Sequence, residues 1–208
     1  MLYPVCQVTT PSHGSTGVFI SEKYILTVFH GIEDCITHKG TKDTYEEVRH
    51  QIDVTLYEPD KAKNVKAEIV AYDESLDIAL LKLLKTKSLY KATLIPENQI
   101  SKCEIFDDLY IVGSPLENDP IPTKGILSSK DMECDHESYW VTDAWIHEGN
   151  SGSGVFKLVG RKYYLIGLAV SSSLTDEAAD TNLTHFIPPE KIHSFLENLD
   201  ESEDSLIH

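Results

Sequence analysis

The sequence predicts an all-β protein in which two β-barrels pack together and a single α-helix follows the second barrel. Three observations predict this fold. Short apolar segments bounded by turn residues recur along the chain, as is typical of β-strands. They fall into two comparable blocks, separated by residues 85–101, a connector with few periodic apolar positions. A helical period appears only near the C-terminus, and 208 residues are enough to bury a core.

The first block contains six apolar segments and one polar excursion. Residues 34–50 are polar and charged without a clear period, so we expect them on the surface, with at most a short helical piece. A turn at residues 58–61 joins the fourth and fifth segments, and Asp77 opens the sixth. The predicted strands are residues 3–10, 15–21, 24–29, 52–57, 64–72 and 78–83.

The second block repeats this rhythm and ends in the helix. Its predicted strands are residues 106–112, 125–128, 138–142, 154–158, 163–171 and 184–187. Two prolines then begin a helix at residues 190–199, whose apolar face carries Ile192, Phe195, Leu196 and Leu199. We therefore divide the chain into an N-terminal barrel at residues 1–95, a C-terminal barrel at 96–187, and a helix with an acidic, frayed tail at 188–208.

Charge and hydropathy exclude several classes of partner. The formal net charge of -16 argues against a nucleic-acid surface, which needs basic patches. No apolar run approaches the roughly 18 residues that span a bilayer. The first residues lack the basic region, apolar stretch and cleavage site of a secretory signal. We therefore expect a cytoplasmic protein with no nucleic-acid or membrane partner.

The four cysteines are scattered, with no Cys-x-x-Cys pair that would indicate a zinc site. In a reducing compartment we expect them to be free thiols, most of them buried as small apolar side chains. They are Cys6, Cys35, Cys103 and Cys134.

Residues 149–154 read Gly-Asn-Ser-Gly-Ser-Gly and precede an apolar strand. A serine between glycines is what a nucleophile at a tight turn needs, because glycine lets the main chain approach a substrate carbonyl. The N–H groups of Gly149 and Ser151 would then converge on one spot and stabilise an oxyanion. Taken alone, the segment is equally consistent with an ordinary loop.

A histidine and a carboxylate stand at comparable places in the first block. His30 ends an apolar strand and precedes a glycine, and Asp77 opens another apolar strand. His30 is either a structural histidine or a base at the rim of the barrel. Asp77 is either a solvated strand end or the group that orients an imidazole. Asp73 and Glu74 are rival carboxylates, but they lie in the preceding turn.

Taken together, residues 24–30, 75–82 and 149–152 resemble the three signatures of chymotrypsin-fold serine proteases, in the order His, Asp, Ser that this fold uses. The chain is most similar to the protease domain of the HtrA/Deg group. Residues 110–115, 123–128, 140–144, 166–168 and 186–188 extend the resemblance, which covers residues 5–199. It implies two six-stranded antiparallel β-barrels.

The chain departs from the family's pattern in three places. Ser153 and Gly154 stand where the family has a second glycine and a proline, and Trp145 replaces a small residue. Asn150, in place of an aspartate, removes the partner of a newly cut N-terminal amine, so we expect no activation by cleavage of the trypsin type. No peptide-binding domain follows, so regulation and oligomeric state stay open.

The resemblance implies a serine endopeptidase that needs no metal or cofactor. His30 would be the base, Asp77 its orienting carboxylate and Ser151 the nucleophile, with Gly149 and Ser151 forming the oxyanion hole. A protein or peptide substrate would add as a strand along Val170, Ser171 and Ser172. The specificity pocket would be lined by Trp145, Ile146 and His147 together with Ser171, Ser172 and Ser173.

No aspartate stands where trypsin-like pockets bind Arg or Lys, which favours an uncharged, small or aliphatic side chain before the cleaved bond. The alternative is an acidic side chain recognised by His147 or His185. A second function also stays open: a catalytically silent, or partner-activated, peptide-binding module of the same fold. An α/β-hydrolase is excluded, because its order would be Ser, acid, His.

Overall fold

The computed structural model describes residues 2–40, 46–134, 137–171 and 183–199. Its strands form two closed, six-stranded antiparallel barrels, which confirms the predicted fold class. The predicted tail at residues 200–208 lies outside the described residues. In the described ranges, no helix has the length and apolarity that a membrane span requires.

The first barrel uses the six predicted strands with small changes at their ends. Neighbouring strands pair in the order β1-β2-β3-β8-β7-β6. Their bounds are β1 Val5–Thr9, β2 Gly14–Phe19, β3 Tyr24–Val28, β6 Ile52–Glu58, β7 Lys61–Asp73 and β8 Ile78–Leu83. Alternate apolar side chains fill the barrel, which explains why the period of two was readable.

The polar excursion between β3 and β6 is more regular than the sequence indicated. A 3-10 turn at Glu33–Cys35, the expected short helical piece, leads into a hairpin of β4 Ile36–Lys39 and β5 Glu46–Arg49. Arg49 anchors the hairpin by donating to the carbonyls of Ile69 and Val70. Most of the hairpin's residues are exposed, so hydropathy gave no signal for it.

The second barrel pairs in the order β10-β11-β14-β13-β12-β9. Its bounds are β9 Asp108–Gly113, β10 Ile121–Cys134, β11 Glu137–Thr142, β12 Gly154–Val159, β13 Lys162–Ser171 and β14 Thr184–Ile187. Strand β10 is much longer than the predicted residues 125–128. Its pairing with β11 shifts register twice between Leu127 and Met132, and these irregularities break the alternation that identifies a strand.

Two helices accompany the second barrel: α1 Glu97–Ile100, in the connector, and α2 Pro189–Glu197, the predicted C-terminal helix. Ile192 and Phe195 of α2 are buried, as its periodicity predicted. Leu94 and Ile95 of the connector pair with Leu165 of β13. The connector is thus hydrogen-bonded to the second barrel, and the division of the chain at residues 95 and 187 stays a prediction.

One apolar cluster joins the barrels. Val18, Leu26 and Leu80 of the first barrel pack in the same cluster as Leu168 and Val170 of the second, and α2 covers part of it. The barrels are thereby fixed face to face, because a close-packed interior resists sliding. Cys6, Cys35 and Cys103 are buried free thiols, as predicted, and Cys134 is partly buried.

Candidate active site

His30 and Asp77 form a hydrogen-bonded pair at one end of the first barrel. Val28 of β3 pairs with Ile78 of β8, so the residues that follow β3 and precede β8 meet. The His30 Nδ1 and Asp77 Oδ2 atoms are 2.7 Å apart, and the His30 backbone N–H donates to Asp77 Oδ1 at 2.9 Å. One carboxylate thus fixes both the ring and the backbone of His30.

This pairing determines the tautomer of the imidazole. A carboxylate only accepts, so Nδ1 carries the hydrogen and Nε2 keeps a lone pair. In the described ranges Nε2 has no hydrogen-bond partner, and the His30 side chain is 42% exposed against 16% for Asp77. The imidazole is thus partly open to solvent, whereas the carboxylate that orients it is largely covered.

Asp77 adopts a left-handed backbone conformation, with φ of 54°. A non-glycine residue in this region costs on the order of 1–3 kcal/mol. The two hydrogen bonds to His30, together with the bond from the Phe29 N–H to the Asp77 carbonyl, hold the residue there. Asp77 therefore keeps a strained backbone conformation in which its carboxylate points at the imidazole of His30.

The rival carboxylates are used differently. Asp73 accepts from the N–H and hydroxyl of Ser75 and from the N–H of Leu76, and so closes the turn before β8. Partial burial opposes ionisation of Asp73, but these hydrogen bonds outweigh it and hold the pKa of the carboxyl below its ordinary value. Glu74 is exposed. Asp77 is the carboxylate that contacts His30.

The loop at residues 148–151 has all of its backbone carbonyls occupied. Each accepts one hydrogen bond: Glu148 from the Leu116 N–H at 2.9 Å, Gly149 from Thr16 Oγ1 at 2.8 Å, Asn150 from the Ser153 N–H at 2.8 Å, and Ser151 from the Thr16 N–H at 2.8 Å. The orientation of every peptide plane in the loop is therefore fixed.

The N–H groups of Gly149 and Ser151 lie on either side of the Asn150 N–H in this loop. In the part of the chain that the structure describes, neither donates to an acceptor, whereas the Asn150 N–H donates to the His147 carbonyl. Each N–H points opposite to the carbonyl of its own peptide plane, and those carbonyls, of Glu148 and Asn150, are bonded elsewhere. Gly149 has a φ of +88°, which favours glycine. The loop presents two unused donors, as an oxyanion hole requires.

The Ser151 hydroxyl donates to the carbonyl of Val170 at 2.9 Å. Within the described ranges, which include both residues, no hydrogen bond joins it to His30. A hydroxyl turns freely about one bond, so this contact describes one rotamer of the serine. The structure brings the side chains of His30 and Asp77 into direct contact. The Ser151 hydroxyl contacts the Val170 carbonyl of β13 instead.

The serine loop is docked on the first barrel. Gly152 donates its N–H to the Ala169 carbonyl at 2.7 Å and lies against Thr16 and Thr27. Thr27 is three residues before His30 on the same strand and its extension. The loop that carries Ser151 therefore touches the strands that lead to His30, across the junction of the two barrels.

Ser153 and Asn150, which differ from the family's pattern, contact each other in the structure. The Ser153 hydroxyl donates to Asn150 Oδ1 at 3.2 Å, and both side chains are buried. They occupy space beside Gly113, where a Cβ would come within 1.7 Å of Ser153 Oγ. Serine replaces the family's glycine here because a glycine on β9 leaves room for its hydroxyl.

The predicted specificity residues divide between surface and core. Trp145 and His147 are exposed, and their ring centroids are 3.6 Å apart. Ile146 between them is buried in the core of the second barrel. Two side chains of the predicted pocket thus pack against each other at the surface while the third faces inward; their role in specificity stays a prediction.

The other predicted substrate residues lie on or beyond β13. The Val170 side chain is buried and its carbonyl holds Ser151. Ser171 ends the strand opposite His185, whose buried ring packs edge-on against Tyr139. Ser172 and Ser173 lie outside the described residues. The proposed substrate strand therefore begins at the residue that contacts the nucleophile.

The buried thiols do not compete with Ser151 for a catalytic role. Burial raises the pKa of the Cys6 and Cys103 thiols, and burial followed by the charge of Asp34 raises the pKa of Cys35 to about 11, so these cysteines stay protonated. Among the described residues there is no group of three His, Cys, Asp or Glu side chains arranged to hold a metal.

Thr16 and Leu116 hold the serine loop through three of its four carbonyls, and neither residue was predicted from the sequence. Thr16 gave no clear signal, because it lies between Ser15 and Gly17 in the half of β2 that is not apolar. Leu116 gave none, because it contributes only its backbone N–H, from a 3-10 turn at Pro115–Glu117.

A model of the trypsin-like peptidase domain matches residues 15–168 of this chain. This range contains His30, Asp77 and the whole serine loop. The match covers most of both barrels.

Several curated proteins are similar to the chain over part of their length. The magnetosome formation protease MamE of Paramagnetospirillum magneticum is 29% identical over 143 residues, 66% of this chain and 17% of that protein. A probable periplasmic serine endoprotease, DegP-like, of Pseudomonas savastanoi is 29% identical over 157 residues, 74% of this chain and 28% of that protein. The serine protease Do-like HtrA of Lactococcus lactis is 33% identical over 132 residues, 58% of this chain and 31% of that protein. The chain spans less than a third of these relatives.

Two solved structures share the fold. Deg5 superposes with a TM-score of 0.69 at 18% identity, covering 93% of this chain and 87% of that one. The serine endoprotease from Yersinia pestis gives a TM-score of 0.69 at 23% identity, covering 94% of this chain and 62% of that one. At these identities the likeness shows the fold alone.

Gly152 provides a test of the docking of the serine loop. Its φ is +84°, and a Cβ would lie 2.0 Å from the Thr16 carbonyl oxygen. Gly152→Ala is expected to lower the free energy of unfolding by about 2–5 kcal/mol, since backbone strain and overpacking add. Urea denaturation followed by tryptophan fluorescence measures the change.

Gly160→Ala is the matched control. Gly160 also has a positive φ, of +64°, but nothing lies within 4 Å of the point that a Cβ would occupy, so it tests backbone strain without the clash. Its expected cost is about 1 kcal/mol. Equal costs for the two variants would contradict the close contact between the loop and the first barrel.

Proposed function

This chain belongs to the trypsin-like peptidase domain family, as an HtrA-like protease domain with the chymotrypsin fold, and we propose from this premise that it is a serine endopeptidase acting through an acyl-enzyme. One observation carries the proposal. A hydrogen-bonded His30–Asp77 pair stands on one barrel, and a serine loop whose unused donors are the N–H groups of Gly149 and Ser151 is docked beside it from the other.

The first step is acylation. The Ser151 hydroxyl turns from the Val170 carbonyl toward His30 Nε2, which takes the proton as Oγ bonds to the substrate carbonyl carbon. The carbonyl π electrons move to oxygen, and the oxyanion accepts from the N–H groups of Gly149 and Ser151. Asp77 stabilises the imidazolium that forms.

The tetrahedral intermediate then collapses. The carbon–nitrogen bond breaks, and the leaving amine takes the proton from His30. Water attacks the ester carbonyl, His30 accepts its proton and returns it to Ser151 Oγ, and the new carboxyl terminus departs. Each oxyanion donor lowers the free-energy barrier to acylation by roughly 3 kcal/mol, by analogy with other oxyanion holes. The role needs no metal or organic cofactor.

A second candidate function is a peptide-binding module that is silent until a partner activates it. The observation that favours it is the bond from the Ser151 hydroxyl to the Val170 carbonyl, which must break before His30 is reached. Because the chain spans less than a third of its curated relatives, their whole activities and partners do not transfer directly. Reactivity of the isolated chain separates the two functions.

The substrate is a protein or peptide that adds as an extended strand beside Val170 and Ser171 of β13. Relatives named as endoproteases support this substrate class. Two of these are named as periplasmic, whereas the sequence predicted a cytoplasmic protein; the place in the cell stays a prediction. The division of the chain at residues 95 and 187 is part of the same proposal.

A fluorophosphonate probe tests the nucleophile. We expect the native chain to be labelled on Ser151, and Ser151→Ala to abolish labelling. Asp77→Asn is expected to slow labelling by about four orders of magnitude, because an amide holds the wrong imidazole tautomer. Mass spectrometry of the labelled peptide identifies the site and gives the rate.

Asp73→Asn is the matched control, since the same chemical change falls on a carboxylate that closes the turn and does not contact His30. Its labelling rate is expected to stay within a few-fold of native. A folded native chain that is not labelled would support the silent module, and equal losses in the two Asn variants would refute the assigned role of Asp77.

Product sequencing tests the pocket. Digestion of a proteome-derived peptide library is expected to give cuts after uncharged, small or aliphatic residues, because no carboxylate is offered at positions 145–147 to bind Arg or Lys. His147→Ala is expected to leave that preference unchanged. Cuts after Glu or Asp that His147→Ala removes would overturn this expectation in favour of an acid-specific pocket.

A further inference from the structure

Thr16 lies between the two barrels and is completely buried. It belongs to β2, whose pairing with β3 involves only Val18 and Phe19, so Thr16 faces the second barrel instead. A buried hydroxyl must find partners or lose stability. The partners of Thr16 lie in the serine loop and on the segment after β9.

The backbone and side chain of Thr16 hold two carbonyls of the serine loop. Its N–H donates to the Ser151 carbonyl at 2.8 Å, and its hydroxyl donates to the Gly149 carbonyl at 2.8 Å. The N–H groups of these same two residues donate to no acceptor in the described chain. Thr16 therefore holds the carbonyl groups of the two residues whose N–H groups are the proposed oxyanion donors.

The same hydroxyl also accepts. The Ser114 N–H donates to Thr16 Oγ1 at 3.0 Å, which uses a lone pair left free when the proton goes to Gly149. Two residues after Ser114, the Leu116 N–H donates to the Glu148 carbonyl and sets the peptide plane that carries the Gly149 N–H. One hydroxyl thus connects the supports on both sides of Gly149.

Thr16 is itself held in place. The Thr27 hydroxyl donates to the Thr16 carbonyl at 2.7 Å, and a β-branched side chain has few χ1 choices. Both threonines belong to the barrel that also carries His30 and Asp77. The oxyanion donors of the second barrel are therefore aligned by the barrel that carries the base.

We propose that Thr16 is a positioning residue for the oxyanion hole: its hydroxyl binds the Gly149 carbonyl and the Ser114 N–H at once, and so holds the serine loop of the second barrel in register with His30 on the first. This proposal rests on the proposed serine endopeptidase. It makes formation of the hole depend on contact between the barrels.

Thr16→Val is the direct test, because valine keeps the shape and the backbone N–H and removes the hydroxyl. We expect the rate constant for fluorophosphonate labelling of Ser151 to fall about 10- to 100-fold, part of the loss found when one oxyanion donor is removed. The midpoint of the pH–rate profile is expected to stay in place, since His30 and Asp77 are untouched. Thr16→Ser keeps the hydroxyl and is expected to label within about threefold of native.

Ser21→Ala is the matched control. Ser21, near the far end of β2, is buried, and its hydroxyl accepts from the N–H of Tyr24 and of Lys23 without touching the serine loop. It loses a comparable hydrogen bond in the same barrel, so its labelling rate is expected to match native at similar thermal stability. If Ser21→Ala and Thr16→Val lower the labelling rate equally, the effect of Thr16 is one of stability alone, and the proposal is overturned.

Hydrogen exchange of residues 147–153 gives a readout that does not need activity. Thr16→Val is expected to accelerate exchange of the Asn150 and Gly152 amides at least tenfold, and Thr16→Ser to leave it nearly unchanged. If the native chain is not labelled, the proposed function fails and exchange alone decides the role of Thr16. Unchanged exchange together with unchanged labelling refutes it. If valine prevents folding, Thr16→Ala replaces it in the same comparison.

Discussion

The hydrogen bonds from Thr16 to the carbonyls of Gly149 and Ser151 join the two halves of the site. The triad signatures are far apart in sequence and lie on separate barrels. An apolar cluster shared by the barrels supplies most of the attraction, since burial of apolar surface is the dominant favourable term. Attraction between apolar surfaces has no preferred direction, however. The hydrogen bonds of Thr16 therefore set the position of the serine loop relative to His30.

Backbone geometry carries much of the proposed chemistry. Asp77 is held at positive φ, and its carboxylate faces His30. Gly149 is also held at positive φ, and its N–H has no acceptor among the described residues although the carbonyls of the loop all accept hydrogen bonds. Such conformations persist only where several contacts over-determine them. Each of these residues is held by at least two hydrogen bonds or close contacts from neighbouring segments. Several contacts hold the main chain of the site, whereas one hydrogen bond, to the Val170 carbonyl, holds the Ser151 hydroxyl.

The sequence predicted what depends on local pattern. Twelve barrel strands and the C-terminal helix could be predicted, because apolar alternation and strand ends are local features. The pairing of His30 with Asp77 was implied by the family resemblance, since the local pattern alone left the role of each residue open. The full length of β10 could not be predicted, since its bulges hide the alternation, nor could the mostly exposed strand pair of β4 and β5. Thr16 and Leu116 were missed because their function depends on partners about 130 and 30 residues away, joined through backbone atoms. The resemblance implied a pocket position for Ile146, whose side chain lies in the core of the second barrel, and its role in specificity stays a prediction.

The most direct test of this account is a crystal structure of the chain after reaction with a phosphonofluoridate. The account predicts phosphorus bonded to Ser151 Oγ, with the phosphoryl oxygen about 2.7–3.1 Å from the backbone nitrogens of both Gly149 and Ser151. It also predicts that the Val170 carbonyl has lost its bond from the serine and that His30 stays on Asp77. An adduct whose phosphoryl oxygen points to solvent, with the Gly149 N–H turned away, would contradict it.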